Sequence, residues 1–412
     1  MKYFVCFFVL SLFLCACFSW QHQKKYIQST FIKKILLKKY NSNKTDTFFS
    51  LFADEIIEMA AAAVLSAPSK VKRHLFKSFK QGHENELFKY LKQNEAPLFA
   101  VLDALLTKKT YTPKKTKGST SKFSKLAAML GFESQFEYQL PDNLFKKSPF
   151  FFSNKRLNCL SKLFEARCLF LKTDLKKSSE ILIKLAIIYQ KQNNAFKTAY
   201  TYFMLGQVYS LSKAFDTAHL IFEKALHIFN KTHCSYGQHL VLTAIALNFM
   251  CQQNYKEAHT YFKQAHTFFH KTENILLEAK TLNGQSCCHL NNNNFKKAHQ
   301  IANFALKLHQ KIGNRYGMAF SLEIQAAANS SFCRHRQAIF QAKSALKHYR
   351  FLQNPTAEQK MLYMLTKIYL NAGELQNAKK ILNTYIKHKT LHQLPSFEDE
   401  KTLKEIINPP EK

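Results

Sequence analysis

The stretch AYTYFMLGQVYSLSKAFDTAHLIFEKALHIFN, residues 199–230, decides the fold because the chain repeats its pattern. At a shift of 40 residues, Ala218, Ala258, Ala298, Ala338 and Ala378 fall in one column, and Ala225, Ala265, Ala305 and Ala345 in a second. Gly206, Ala246, Ser286, Ala326 and Thr366 make a third column; Tyr202, Leu242, Leu282, Leu322 and Leu362 make a fourth. Small residues at a constant interval mark places where two helical backbones cross closely. The large apolar residues four positions away fill the space between neighbouring units. Such a period predicts a solenoid of helical pairs, each burying a face against the next.

Composition points the same way. The 412 residues include nine Gly and nine Pro, too few turn formers for an open α/β enzyme or a β-sandwich. Apolar residues make up 46%, with 38 Phe, 18 Tyr and one Trp to fill a core. The expected fold class is all-α: an α-solenoid of about five to six helical hairpins preceded by a smaller helical amino-terminal region.

The columns resemble the tetratricopeptide repeat (TPR) family. Tyr202, Leu205-Gly206, Tyr209, Ala218, Phe222 and Ala225 match its pattern in spacing and type, as do Leu242, Ile245-Ala246, Phe249, Ala258, Phe262 and Ala265. The units at 279–310 and 319–350 depart from it, with Ala302 and Ala342 where Phe is usual and His289 and Asn329 where an aromatic is usual. The last unit, 359–390, keeps Leu365, Tyr369 and Ala378, and a degenerate first unit falls at 159–190. The resemblance covers about 155–392. The family's usual period is 34 residues, so six extra residues lengthen the helices or the joins, as in its longer-period branch. That branch implies a binder of peptides or folded partners, with the first helix of each pair lining the groove.

Carrying the family's groove positions over gives Arg167, Phe203, Gln207, Thr243, Leu247, Asn283, Cys287, Glu323, Lys360, Tyr363 and Lys367. Phe203 with Gln207 and Asn283 with Cys287 do not reproduce the Lys–Asn clamp the family uses for a terminal carboxylate. The mixed apolar and amide wall suits an extended or helical peptide. The alternative is that the groove packs against residues 48–107 of the same chain.

Residues 1–20, MKYFVCFFVLSLFLCACFSW, have the layout of a signal peptide or membrane anchor. Leu14-Cys15-Ala16-Cys17 resembles a bacterial lipoprotein box, which implies lipidation of Cys17 and tethering on the export side of a bacterial membrane. The alternative is a cytoplasmic protein with an apolar start. Residues 21–47 form a basic segment, 48–107 a helical amino-terminal region, 108–154 an irregular basic linker, and 393–412 a carboxy-terminal tail.

The formal charge of +33 is spread along the chain, +13 over residues 1–154 and +20 over 155–412. It favours acidic partners, but no nucleic-acid module accompanies it, so nucleic acid is not the expected partner. None of the ten Cys forms a C-x-x-C pair. His219, His259 and His299 recur at the repeat interval, too far apart to share an ion. His266 and His270 stand at i, i+4, a ligand spacing, without an acidic or Cys partner nearby in the sequence. No metal or cofactor is therefore expected. No phosphate-binding, nucleophile-elbow or metalloprotease motif occurs, and the expectation is a non-catalytic interaction scaffold. The alternatives are a cytosolic regulator or secretion chaperone and, more weakly, a basic nucleic-acid binder.

Overall fold

A computed structural model describes residues 52–68, 70–72, 74–75, 85–107, 155–398 and 400–407, with positions 32, 33 and 36. Residues 1–20 with Cys17, the linker 108–154, and all of 21–47 but those three positions lie outside the described residues. Every described element is helical; no strand occurs among them. The amino-terminal region holds α1 (Ala53–Ser66), α2 (Asn85–Asn94) and α3 (Ala96–Thr107). The repeats hold α4 (Lys155–Leu171), α5 (Leu175–Lys191), α6 (Ala195–Leu211), α7 (Phe215–Lys231), α8 (Ser235–Cys251), α9 (Tyr255–Lys271) and α10 (Ile275–Asn291). They continue through α11 (Phe295–Ile312), α12 (Arg315–Ser331), α13 (His335–Phe351), α14 (Pro355–Asn371) and α15 (Leu375–Leu391), followed by α16 (Glu400–Ile407).

The joints set this spacing. Lys213, Gln253, Glu273, Asn293, Cys333 and Gln353 each take a left-handed backbone, as do Gly313 and Gly373, spaced by twenty residues or a multiple of twenty. At each of these joints the next amide reaches back into the helix just ended, as Asn274 does to the Phe269 carbonyl at 2.9 Å. That closure satisfies carbonyls the helix end would leave bare. At six joints the residue that makes it also caps the following helix with its side chain. Asp174, Asn194, Asn274, Asn294, Asn314 and Asn354 accept from the backbone N–H three residues on. α1 ends differently: Ala67 is extended because it precedes Pro68.

The small columns do what their spacing predicts. Ala218, Ala258, Ala298, Ala338 and Ala378 are fully buried. A Cβ at Gly206 would lie 2.5 Å from the Phe222 ring, and one at Gly284 would lie 2.5 Å from the Phe262 ring. Where the second helix drops to Ala302, the next first helix supplies Ile324 to the same core cluster. Where it drops to Ala342, Met364 packs in. Large against small is thus exchanged across one interface with volume kept. This accounts for Ala302 and Ala342 in the family's Phe column.

The chain forms two compact units, one of Met1–Met204 with Cys234–Tyr236, the other of Leu205–His233 with Gly237–Lys412. In the first, α1 buries Ile56, Met59, Ala60 and Val64 and packs on α3 and α4. Phe52 meets the Tyr200 ring edge-on at 5.2 Å, and Glu55 pairs with Lys197 of α6 at 2.5 Å, both side chains buried. In the second unit, helices from α9 to α15 pack on their chain neighbours, and the first helices α10, α12 and α14 also touch one another. The segment from 393 is more than a tail: Phe397 lies on Tyr363 at 4.5 Å, and α16 buries Leu403 and Ile407 against the last hairpin. It closes an end that a solenoid otherwise leaves apolar.

Candidate partner-binding face

The residues assigned to a groove fall on two stripes of the first helices. The ninth residues of α6, α8, α10, α12 and α14 are Phe203, Thr243, Asn283, Glu323 and Tyr363. All but the half-buried Thr243 are buried. In the second unit they are buried because the second helix of the pair reaches them. Asn283 Nδ2 lies 3.2 Å from His309 Nε2 of α11, and the Ser321 hydroxyl lies 2.8 Å from Asn283 Oδ1. The His309 ring rests on Gly317, where a Cβ would come within 2.3 Å. Burial, aided by Lys280, pushes the His309 imidazole down to about 4. Tyr349 of α13 donates to Glu323 Oε2 at 3.1 Å, and burial together with that carboxylate holds its hydroxyl far above its ordinary range.

Four residues along, Gln207, Leu247 and Cys287 are half-buried and Lys367 is exposed. Lys360 sits on the adjoining stripe and is also exposed. Its Nζ bonds Glu323 Oε1 at 2.5 Å, tying α14 to α12. Burial would lower the Lys360 ammonium, but Glu323 outweighs it and raises the pKa. Burial pushes the Cys287 thiol up, Lys360 pulls against it and Glu323 adds to it. Cys287 of α10 therefore shares one patch with Glu323 and Lys360. Phe320 and Cys287 are half-buried against the same core cluster, and the Lys367 ammonium lies 5.6 Å from the Tyr363 ring centre. In the first unit, Arg167 and Phe203 are buried, Arg167 against Phe170 and Phe203 beside Tyr200. There α1 meets α6 at Lys197 and Tyr200.

One grouping escaped the sequence reading. The acidic partner missing near His266 and His270 is Glu278, across the joint in α10, whose Oε1 lies 2.8 Å from His270 Nδ1. Among the described residues, no helix is long and apolar enough to cross a membrane.

No protein-family model matches the chain, and no curated protein matches its sequence. Solved structures match its fold. The Cut9–Hcn1 hetero-tetramer of the APC/C aligns at TM-score 0.56 and 12% identity, over 86% of this chain and 62% of that one. The signal-transduction ATPase PH0952 from Pyrococcus horikoshii, with a tetratricopeptide repeat sensor, aligns at 0.52 and 14%, over 90% and 55%. The Rap protein complexed with competence and sporulation factor aligns at 0.51 and 12%, over 78% and 94%. At such identities the likeness establishes fold alone: the chain is an α-solenoid of the tetratricopeptide type.

Proposed function

We propose that the chain is a non-catalytic scaffold that holds an acidic peptide, or an acidic segment of a protein, on the first-helix face of its second unit. The observation that carries this reading is the Cys287–Glu323–Lys360 patch, which joins three successive first helices across adjoining stripes. Lys280, Lys360 and Lys367 lie on these helices, while Glu323 is buried and already engaged. Leu247, Phe320 and Cys287 offer half-buried apolar contact between the charges. A peptide laid across such helices gains charge complementarity and apolar burial together. The Rap protein, which shares the fold, was solved with a bound factor, in keeping with a regulator-like use.

Peptide display panned against the full chain tests the reading. Enriched peptides should be acidic and should bind Lys367→Glu and Leu247→Glu variants at least about tenfold more weakly, the effect of losing about 1.4 kcal/mol. A Lys256→Glu change on the second helix α9 should leave binding intact. Equal binding to all variants would remove this face from the function. The proposal extends, on residues 1–20 alone, to tethering through a lipidated Cys17 on the export side of a bacterial membrane. Acyl labelling that is absent from wild type, or unchanged in Cys17→Ser, would favour the cytosolic alternative.

A further inference from the structure

The repeat supplies an internal standard for judging unusual residues. At the twelfth position of the second helices, α5, α7, α11, α13 and α15 carry Ala186, Leu226, Leu306, Leu346 and Ile386. α9 carries His266 there instead, half-buried at a position that its neighbours fill with apolar side chains. An imidazole at such a place costs hydration unless it finds a partner.

Two partners are close. His270 lies one turn on, with its ring stacked at 5.8 Å from that of His266. Glu278, half-buried in the first turn of α10, reaches back across the joint to His270. One ligand atom from each of His266, His270 and Glu278 can be chosen so that all lie within 4.8 Å of one another. The joint geometry that makes this meeting recurs, since Arg350 and Glu358 occupy the same two positions two repeats later and pair at 3.4 Å. The cross-joint ion pair is thus a feature of the scaffold. The substitution of His266 for leucine is what turns it into a three-donor cluster.

We infer that His266, His270 and Glu278 form a binding site for a divalent transition metal, with zinc as the best match. Two imidazoles and one carboxylate are a set zinc accepts, leaving a fourth position open. Bonds of about 2.0–2.2 Å in a tetrahedron place donors about 3.3 Å apart, so the cluster closes on an ion by side-chain rotation alone. His270 is exposed, which gives the ion an entry path. Burial, opposed by Glu278, lowers the His266 pKa and keeps its nitrogen available as a neutral ligand. An ion here staples α9 to α10, the helix that carries Cys287 of the proposed face.

The test is zinc competition against a chromophoric chelator with the full chain at pH 7.5, repeated with cobalt for its ligand-field spectrum. Wild type is expected to take up one ion at this site and to show a tetrahedral cobalt band and a zinc-dependent rise in Tm. His266→Leu, which installs the residue of the neighbouring repeats and so preserves the fold, is expected to lose all three signals. Glu278→Gln is expected to weaken them. Zinc uptake that is equal in wild type and His266→Leu overturns the inference, because the ion then sits on other histidines. No cobalt band in wild type overturns it as well.

Discussion

Replacing His309 by Phe should flatten part of the chain's response to acid. His309 is fully buried, sits on Gly317 and accepts from Asn283, a setting that holds its imidazole neutral. Its pKa falls from 6.5 to about 4 on folding. A group depressed in the folded state contributes stability that is fully present above 6.5 and is lost as pH falls towards 4, because the unfolded chain takes up the proton first. Between pH 7.5 and pH 5, one such imidazole costs about 2 kcal/mol. Burial also lowers His259, His266, His289, His299 and His348, so wild type loses more than this single increment. The difference between wild type and variant isolates His309. Phe is a fair replacement: Phe229 and Phe269 hold the same position in α7 and α9, and Phe229 lies on Gly237 as His309 lies on Gly317. Asn283 keeps its contacts with Ser321 and Gly317 in the variant. Urea unfolding at pH 7.5, 6.5, 5.5 and 5 should show the variant gaining on wild type by about 2 kcal/mol over the series. A constant difference across that range would mean that His309 already titrates like a solvated imidazole and that its packing on Asn283 and Gly317 is wrong.

Three further outcomes follow from packing and backbone geometry. Lys197→Met should lower the urea midpoint by the equivalent of about 3–5 kcal/mol, because the buried Glu55 then loses the ammonium at 2.5 Å, and Glu55→Leu added to it should recover most of the loss. Phe262→Ala should cost about 3–5 kcal/mol in thermal or urea unfolding, and adding Gly284→Ile should restore more than half, since Ala302 with Ile324 is the same exchange made by the chain itself. Gln253→Gly, at an exposed left-handed position, should raise stability by about 0.5–1 kcal/mol, and a drop in Tm would contradict the joint geometry.

What could be read from the sequence and what could not divide along one physical line: interactions that repeat are legible, and interactions that depend on a specific pairing are not. The alanine columns announced the hairpins because close backbone approach demands a small residue each time. The twenty-residue helix spacing was equally present in Asp174, Asn194, Asn254, Asn274, Asn294, Asn314 and Asn354, cap residues at a fixed interval. The fate of the ninth-position residues was hidden, because Asn283 and Glu323 are polar and a family pattern puts polar residues on a wall. They are buried because His309 and Tyr349, 26 residues further on, carry the polar atoms that satisfy them. A polar residue matched by a polar ring at that separation in two adjacent hairpins was the available signal. Glu55 and Lys197, 142 residues apart, left no such trace. Glu278 stands between these cases. It was overlooked because i, i+4 reasoning stops at the end of a helix, yet a three-residue joint of constant geometry places the sixteenth position of one helix beside the fourth of the next wherever it occurs. Once the joints are known, the cross-joint neighbours of every helix become as predictable as its faces. In this chain, the residues that break the repeat at those places, His266 above all, are the ones whose presence packing alone does not explain.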